Sequence, residues 1–185
     1  MSMSSDLGGQ RVLVTGAAGQ LGHYLRALLP AAGATVITSG RRSAPGIDHA
    51  VDLVDAASVT ALLESTRPDV VLHAAACTDV DGIEREPERG LLGNATATRN
   101  LSRAAASQGA YVLAVSTDMV FPGDGGAPYA EDAPTRPISA YGRSKLQAEE
   151  DVLSVSPTFG VGRTAWLYGG GGKHFPRAVL TVLRD

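Results

Sequence analysis

Tyr141 and Lys145 stand four residues apart in the segment Tyr141-Gly-Arg-Ser-Lys145, a spacing that places both side chains on one face of a helix. A phenol has a pKa of about 10, and a neighbouring ammonium group favours the phenolate and lowers that pKa. Such a tyrosine can give a proton to a carbonyl oxygen while a hydride reaches the carbonyl carbon. The spacing therefore predicts an acid–base pair, in which Lys145 also binds the ribose next to a nicotinamide. An ordinary surface pair is the alternative interpretation.

A hydroxyl group is needed to polarise the same carbonyl, and Ser116-Thr117 supplies one. The pair follows the apolar segment Tyr111–Val115, which is typical of a buried strand. Thr117 is therefore expected at the carboxyl end of that strand. There its hydroxyl would hold the carbonyl oxygen as an oxyanion hole does.

A glycine-rich turn is the second candidate site. In Gly16-Ala-Ala-Gly19-Gln-Leu-Gly22, Gly16 permits a tight turn, Gly19 lets the backbone approach a pyrophosphate, and Gly22 lets a helix pack closely on a strand. The helix N-terminus then offers N–H groups and partial positive charge to the phosphates. Because the spacing is not that of the best-known dinucleotide fingerprint, a plain strand-to-helix turn is the alternative.

The residues after the second predicted strand indicate which cofactor is bound. The stretch Thr38-Ser-Gly-Arg-Arg42 contains no Asp or Glu to bind the ribose hydroxyls of NAD. The adjacent guanidinium groups of Arg41 and Arg42 can instead pair with a 2′-phosphate. NADPH is thus the predicted cofactor and NADH the alternative; an exposed arginine pair without a ligand is also open.

Alternating strand and helix patterns position these residues. The apolar, continuous strands are typical of a parallel sheet, and the alternation predicts an α/β fold, a doubly wound Rossmann sheet. Ligands of such sheets bind at the carboxyl ends of the strands, where every motif above falls. The predicted strands are Arg11–Thr15, Ala34–Thr38, Asp69–His73 and Tyr111–Val115, with a strand and a turn within Thr158–Leu167. The predicted helices are Gln20–Ala32, Ala56–Thr66, Pro87–Gln108, Ser139–Val152 and Lys173–Arg184, and the proline-rich stretch Pro122–Pro137 is a loop.

Composition excludes several classes of protein. The 185 residues are 44% hydrophobic and 19% charged, as in one soluble globular domain. No apolar run approaches the roughly 18 to 20 residues of a membrane span, and residues 1–10 do not resemble a signal peptide. A net charge of −3 without a basic patch disfavours nucleic acid as a partner. The single Cys77 suits a cytoplasmic location.

The remaining polar clusters do not predict a metal site. The four histidines share no metal-ligand spacing with Cys77 or with one another, and they are expected to be structural or exposed. The acidic run from Asp79 to Glu88 is interpreted as a solvated loop and helix start, in preference to a Mg²⁺ site. Residues 1–10 are expected to form a flexible tail and 11–185 a dinucleotide-binding domain, whose substrate region begins after about residue 160.

Taken together, the motifs resemble the extended short-chain dehydrogenases/reductases, and more narrowly the dTDP-4-dehydrorhamnose reductases and related nucleotide-sugar 4-ketoreductases. The resemblance extends from Arg11 to Arg184, nearly the whole chain. It is carried by Val14–Gly22, Val71–Asp81, Asn94, Val115–Gly123, Tyr141–Lys145 and Gly162–Gly169.

The resemblance implies roles for individual residues. The catalytic set would be Thr117, Tyr141 and Lys145, with Asp118 and Trp166 contacting the sugar. Residues along the cofactor would be Gly19, Gln20 and Leu21 at the pyrophosphate, Asp52 and Leu53 at the adenine, Ala74, Ala75, Ala76 and Thr78 after the third predicted strand, and Val115 at the nicotinamide. Tyr141 and Lys145 would also bind the cofactor, and Thr117 would also bind the substrate.

The implied activity is NADPH-dependent reduction of the 4-keto group of a dTDP-linked 6-deoxyhexose, with a homodimer as a further expectation. Related 4,6-dehydratases carry Thr-Asp-Glu where this chain has Thr117-Asp118-Met119, so dehydration is disfavoured. The reductases usually have Tyr in place of Met119, which leaves the identity of the sugar open. A non-catalytic, cofactor-binding regulatory subunit and another nucleotide-sugar epimerase or dehydrogenase are the alternatives. The resemblance also implies that most of the C-terminal substrate lobe lies outside this chain.

Overall fold

A six-stranded parallel sheet forms the centre of the molecule in the computed structural model, which describes residues 7–126 and 128–169. The strand order is β3-β2-β1-β4-β5-β6. The chain adds strands on one side of β1 up to β3 and on the other side from β4 onward. The predicted doubly wound parallel sheet is therefore confirmed. The strands are β1 (Arg11–Thr15), β2 (Thr35–Gly40), β3 (His49–Ala50), β4 (Val70–His73), β5 (Tyr111–Thr117) and β6 (Gly160–Thr164).

Helices cover both faces of this sheet. Their bounds are α1 (Gln20–Leu28), a 3-10 turn (Pro30–Ala32), α2 (Ala56–Thr66), α3 (Val80–Arg85), α4 (Pro87–Gly90), a π-helical segment (Leu91–Thr96), α5 (Ala97–Ser107), a 3-10 turn (Asp118–Val120) and α6 (Ala140–Val155). The predicted helix Lys173–Arg184 and the first six residues of the predicted tail lie outside the described residues. Among the helices that the structure describes, none combines the length and apolar character needed to cross a membrane.

The core follows from the alternating faces of the apolar strands. Leu13, Val71 and Val112 are fully buried on one face, where they belong to the same cluster as Leu63 of α2 and Leu101 of α5. Val12 and Val14 point to the other face and pack among small and branched residues near α1. Burial on both faces explains why these strands are continuously apolar in sequence.

Three details of the fold differ from the sequence prediction. β2 continues to Gly40 because Ser39 pairs with Thr15 of β1 and Gly40 pairs with Ala50 of β3. The two-residue strand β3 was not predicted, and the long predicted helix Pro87–Gln108 is one helical run that contains a π-helical segment. Leu7 and Gly9 donate backbone hydrogen bonds to the carbonyls of Ala32 and Gly33.

Candidate active site

A single cleft runs along the carboxyl ends of β1, β2, β4 and β5 and reaches the segment after β6. Among the predicted site residues, Arg42 alone does not line it. The cleft brings together Gly16, Gly19, Gln20, Leu21, Arg41, Asp52, Leu53, Ala74, Ala75, Ala76, Thr78, Val115, Thr117, Asp118, Tyr141, Lys145 and Trp166. Residues almost 150 positions apart in sequence therefore share one surface, as the strand-end argument predicts.

The glycine turn closes against the loop after β4. Gly16 has φ +66°, and a Cβ atom there would lie 2.6 Å from the backbone nitrogen of Ala75. A Cβ on Gly22 would meet the Gly16 carbonyl oxygen and lie 2.6 Å from Cα of Ala17. Only glycine fits either position, and the consequence is that α1 begins directly over the end of β1.

The N-terminus of α1 faces the cleft without a side-chain cap. Gly19 precedes the helix and makes no side-chain hydrogen bond to it. The backbone nitrogen of Ala17 is bonded to the carbonyl of Ser39 at 3.0 Å, which fixes the turn against β2. The first backbone amides of α1, which no side chain caps, are thus positioned to bind an anion.

A buried histidine lies beneath this turn. The Nδ1 atom of His73 is 2.7 Å from Oγ1 of Thr15, and its Nε2 atom is 2.9 Å from Oγ1 of Thr98. The backbone nitrogen of Ala75 donates to the same Thr15 hydroxyl at 3.4 Å. Burial, with a smaller contribution from Lys145, lowers the pKa of His73 to about 3. The neutral imidazole therefore ties β4 to β1 and α5, a structural role that agrees with the sequence interpretation.

Asp52 and Leu53, to which the motif resemblance assigns the adenine, line the cleft. The side-chain amide of Asn100 donates to the carbonyls of Leu53 at 3.1 Å and Val54 at 2.9 Å. Arg41 lies in the cleft with its Nη2 atom 3.7 Å from Oδ2 of Asp52. Its side chain is 82% exposed, so this ion pair leaves the guanidinium group accessible to a ligand.

The catalytic candidates lie at the other end of the cleft. α6 begins where Ser139 accepts a hydrogen bond from the backbone nitrogen of Gly142 at 3.0 Å, and Tyr141 and Lys145 then share one helical face. Lys145 is buried, and its Nζ atom donates to the carbonyl of Val115 at 2.8 Å. This bond holds the ammonium group at the end of β5, next to Thr117.

The hydroxyl group of Thr117 makes two hydrogen bonds within the protein. Its Oγ1 atom donates to Oδ1 of Asp118 at 3.1 Å and accepts a hydrogen bond from the backbone nitrogen of Met119 at 3.2 Å. The second bond caps the short 3-10 turn after β5. Thr117 therefore has its position set by backbone geometry, and its proton must turn away from Asp118 before it can bind a carbonyl oxygen.

The pKa of Tyr141 shifts opposite to the prediction. Burial raises it, with smaller contributions from Asp118 and Cys77, so the expected lowering by Lys145 is wrong. Burial lowers the pKa of Lys145 to about 8, although Glu149 opposes that shift. The physical reason is desolvation, which penalises the charged form of both side chains.

Asn94 links the cofactor side of the cleft to α6, a role that the sequence prediction did not assign. Its Oδ1 atom accepts from the backbone nitrogen of Cys77 at 2.7 Å, and its Nδ2 atom donates to Cys77 O at 3.2 Å and to Oγ of Ser144 at 2.9 Å. Ser144 in turn donates to the carbonyl of Tyr141 at 2.7 Å. Asn94 lies in the π-helical segment, a type of distortion frequent at functional sites. The available signal was the Gly93-Asn94 pair, which has low helix propensity.

The open end of the cleft carries the residues predicted to contact a sugar. Trp166 is 65% exposed, and Asp118 and Met119 are exposed beside it along the same cleft. The side-chain amide of Gln20 donates to the carbonyl of Leu167 at 3.3 Å, which connects the start of α1 to the segment after β6. In the part of the chain that the structure describes, no three His, Cys, Asp or Glu side chains gather as a metal site would require.

Comparison with known proteins decides the family. The model of the RmlD substrate binding domain matches residues 10–185. The chain belongs to this family. Among similar curated proteins, a dTDP-4-dehydrorhamnose reductase of Streptomyces griseus is 44% identical over 176 residues, or 95% of this chain and 56% of that protein. A dTDP-4-keto-6-deoxy-D-glucose reductase of Streptomyces niveus is 39% identical over 93% of this chain and 58% of its own length.

Solved structures of the family have the same fold. A dTDP-4-dehydrorhamnose reductase from Clostridium acetobutylicum aligns with a TM-score of 0.86 and 33% identity, over 94% of this chain and 59% of that one. The Bacillus anthracis reductase, solved in complex with NADP, also aligns with a TM-score of 0.86, at 31% identity and over 95% of this chain and 60% of that one. The resemblance predicted from the motifs is thus confirmed, and the chain spans somewhat more than half the length of these relatives.

Proposed function

We propose that this chain binds NADPH and reduces the 4-keto group of a dTDP-linked 6-deoxyhexose. The observation that carries the proposal is the placement of Thr117, Tyr141 and Lys145 on the same cleft as the glycine turn. The names of the related reductases and the NADP complex of one of them support it. Because the chain spans little more than half of those proteins, the activity of the complete site is part of the proposal.

The residues of the cleft fit a dinucleotide. The turn at Gly16 and Gly22 excludes side chains and offers the first amides of α1 to a pyrophosphate, while Ala74, Ala75 and Ala76 keep the opposite wall small. Val115 and Lys145 lie at the far end, where the nicotinamide and its ribose would be held. When bound, the reduced nicotinamide supplies the hydride for the sugar C4 atom.

Tyr141 would supply the proton to the sugar oxygen as negative charge develops on it. Its raised pKa keeps the phenol protonated at neutral pH, which is the form a proton donor needs. The buried ammonium group of Lys145 then stabilises the phenolate that proton transfer leaves behind. Thr117 would turn its hydroxyl from Asp118 to the substrate oxygen and hold that oxygen in place.

Reduction is the reaction class that these residues support. The position after Asp118 holds Met119, which has no acidic group to act on the neighbouring carbons of the sugar ring. We therefore propose a ketone reduction rather than a dehydration. For the cofactor we propose NADPH over NADH, because Arg41 reaches the cleft and residues 38–42, at the end of β2, include no carboxylate. The single Cys77 is half-buried and free, which fits a reducing compartment, the cytoplasm.

The proposal is tested by NADPH oxidation with dTDP-4-keto-6-deoxyglucose and its epimerised form. Tyr141→Phe is expected to lower turnover by about 100-fold or more while NADPH still binds, because only the proton donor is removed. Tyr111→Phe, at the opposite end of β5, is the matched control and should keep full activity. Wild-type protein that binds NADPH, turns over neither sugar and binds a partner enzyme would favour the regulatory subunit instead.

A further inference from the structure

Glu149 is a buried carboxylate one helical turn beyond Lys145, and the proposed reaction does not use it. It is 4% exposed, lies on the same face of α6 as Tyr141 and Lys145, and shares with Lys145 a small enclosed space behind β5. The hydroxyl of Ser116 lines that space and has no hydrogen-bond partner among the described residues. Burial of an unpaired carboxylate lowers the stability of a protein, so Glu149 needs a partner.

Arg163 of β6 pairs with this carboxylate. Its Nη2 atom donates to Oε2 of Glu149 at 2.7 Å, and its Nε atom lies 3.1 and 3.2 Å from the two carboxylate oxygens. The guanidinium group also packs 4.9 Å from the centre of the Phe121 ring and donates to the carbonyl of Glu131 at 3.2 Å. Glu149 is therefore held in one position by a partner that is itself anchored on three sides.

We propose that Glu149 is a positioning residue that keeps Lys145 in its charged form against the carbonyl of Val115, and that Arg163 fixes Glu149 in place for that purpose. The inference rests on the proposed function, since the charge of Lys145 matters because it assists Tyr141. Arg163 is bonded directly to Glu149, and Lys145 lies one helical turn from Glu149 and lines the same small space.

The surroundings of Lys145 leave Glu149 as the compensating group. Burial favours the neutral amine, and among the described residues Glu149 is the carboxylate that acts in the opposite direction. His73, which faces Lys145 from β4, is neutral at physiological pH. Tyr141, Asp118 and Cys77 line the same cleft as Lys145, and Arg163 of β6 is bonded to Glu149.

The chain has two lysines, Lys145 and Lys173, so labelling with [ε-¹³C]lysine gives two NMR signals whose shifts report the pKa of each amine directly. Lys173→Arg assigns them. Glu149→Gln is expected to lower the pKa of Lys145 by about one unit, because the carboxylate is removed and the burial remains. Glu150→Gln, one residue further and exposed, is the matched control and should leave both signals unchanged.

Arg163→Gln separates a charge effect from loss of packing. The variant removes a cation and keeps the Glu149 carboxylate, so the pKa of Lys145 should stay the same or rise, whereas a purely structural role predicts a similar fall in both variants. An unchanged Lys145 pKa in folded Glu149→Gln protein would overturn the proposal. If the Glu149→Gln variant does not fold, a lower pKa of Lys145 in Arg163→Gln protein would overturn the proposal. The titration needs neither cofactor nor sugar, so a failure of the proposed activity would be seen separately.

Discussion

The two ends of the cleft are positioned by different forces. One end, formed by Gly16–Gly22 and Ala74–Ala76 and called the phosphate end after its proposed ligand, is fixed by backbone contacts that leave no space for a side chain at Gly16 or Gly22. The other end, formed by Thr117, Tyr141 and Lys145 and called the catalytic end after their proposed role, is fixed by side-chain hydrogen bonds and by buried charge. Added side-chain volume should therefore disrupt the phosphate end, whereas removal of single polar groups should impair the catalytic end while the fold persists.

The largest effect is expected from a methyl group at the phosphate end. Gly16→Ala adds a Cβ atom 2.6 Å from the backbone nitrogen of Ala75 at φ +66°, so the turn must move. We expect a loss of about 3 kcal/mol in the free energy of unfolding and of about 100-fold or more in NADPH affinity. Urea unfolding and fluorescence titration measure the two quantities.

Gly109→Ala is the control for that experiment. Gly109 has φ +72°, but a Cβ atom there would meet nothing within 4 Å, so the variant carries the backbone strain without the collision. It should lose about 1 kcal/mol of stability and bind NADPH normally. Equal losses in the two glycine variants would mean that the dihedral angle, and not the contact with Ala75, defines the phosphate end.

Acid should weaken the protein through His73, which lies beneath the phosphate end. Its pKa of about 3 in the folded protein is below the ordinary 6.5, so the unfolded chain takes up a proton first as the pH falls. The stability due to the neutral ring is complete above pH 6.5 and is lost progressively between pH 6.5 and 3. From pH 7 to pH 5 this amounts to about 2 kcal/mol.

Unfolding in urea at the two pH values measures that loss. In His73→Gln protein the acid-dependent part should disappear, although the variant is less stable at every pH because the bonds to Thr15 and Thr98 are broken. His23→Gln changes an exposed histidine and should retain the wild-type pH dependence. An equal pH dependence in His73→Gln and wild type would exclude His73 as the acid-sensitive group.

Two asparagines in the helical run behind the cleft allow a direct comparison of its ends. Asn94→Ala removes the hydrogen bonds that Asn94 makes to the Cys77 backbone and to the Ser144 hydroxyl, so we expect a loss of about 1 to 2 kcal/mol and a lower kcat. Asn100→Ala frees the carbonyls of Leu53 and Val54 and should raise the KM for NADPH instead. Steady-state kinetics of both variants would contradict this assignment if kcat and KM changed together in each.

The sequence predicted those features that depend on short segments. The glycine turn, the parallel strands and the Tyr141–Lys145 pair all follow from neighbouring residues whose periodicity or conformation is a local property. The links between distant segments were not predictable in this way. His73 meets Thr15 across 58 positions, and Asn94 meets Ser144 across 50, and nothing in either short segment specifies the partner.

The predicted direction of the Tyr141 pKa shift was wrong for the same reason. Spacing along α6 places Tyr141 and Lys145 on one helical face, but the shift depends on burial and on Asp118, which belongs to a different segment. The charge balance of Lys145 likewise includes Glu149, whose position is fixed by Arg163 of β6. Electrostatics at the catalytic end is a tertiary property. At the phosphate end, the exclusion at Gly22 comes from Gly16 and Ala17 within the same turn, and the exclusion at Gly16 comes from Ala75 after β4.

The smallest effect is expected at Arg41, where charge assists an end of the cleft that backbone contacts otherwise define. Arg41→Ala should weaken NADPH binding by about threefold to tenfold and leave NADH binding unchanged, because an exposed guanidinium group contributes modestly and only to a 2′-phosphate. Arg42→Ala is the matched control, since Arg42 does not line the cleft and should affect neither cofactor. Equal losses for NADH and NADPH in Arg41→Ala would refute the 2′-phosphate assignment. The expected result would separate two kinds of recognition: the glycine turn binds the pyrophosphate that both cofactors share, and Arg41 binds the phosphate that distinguishes them.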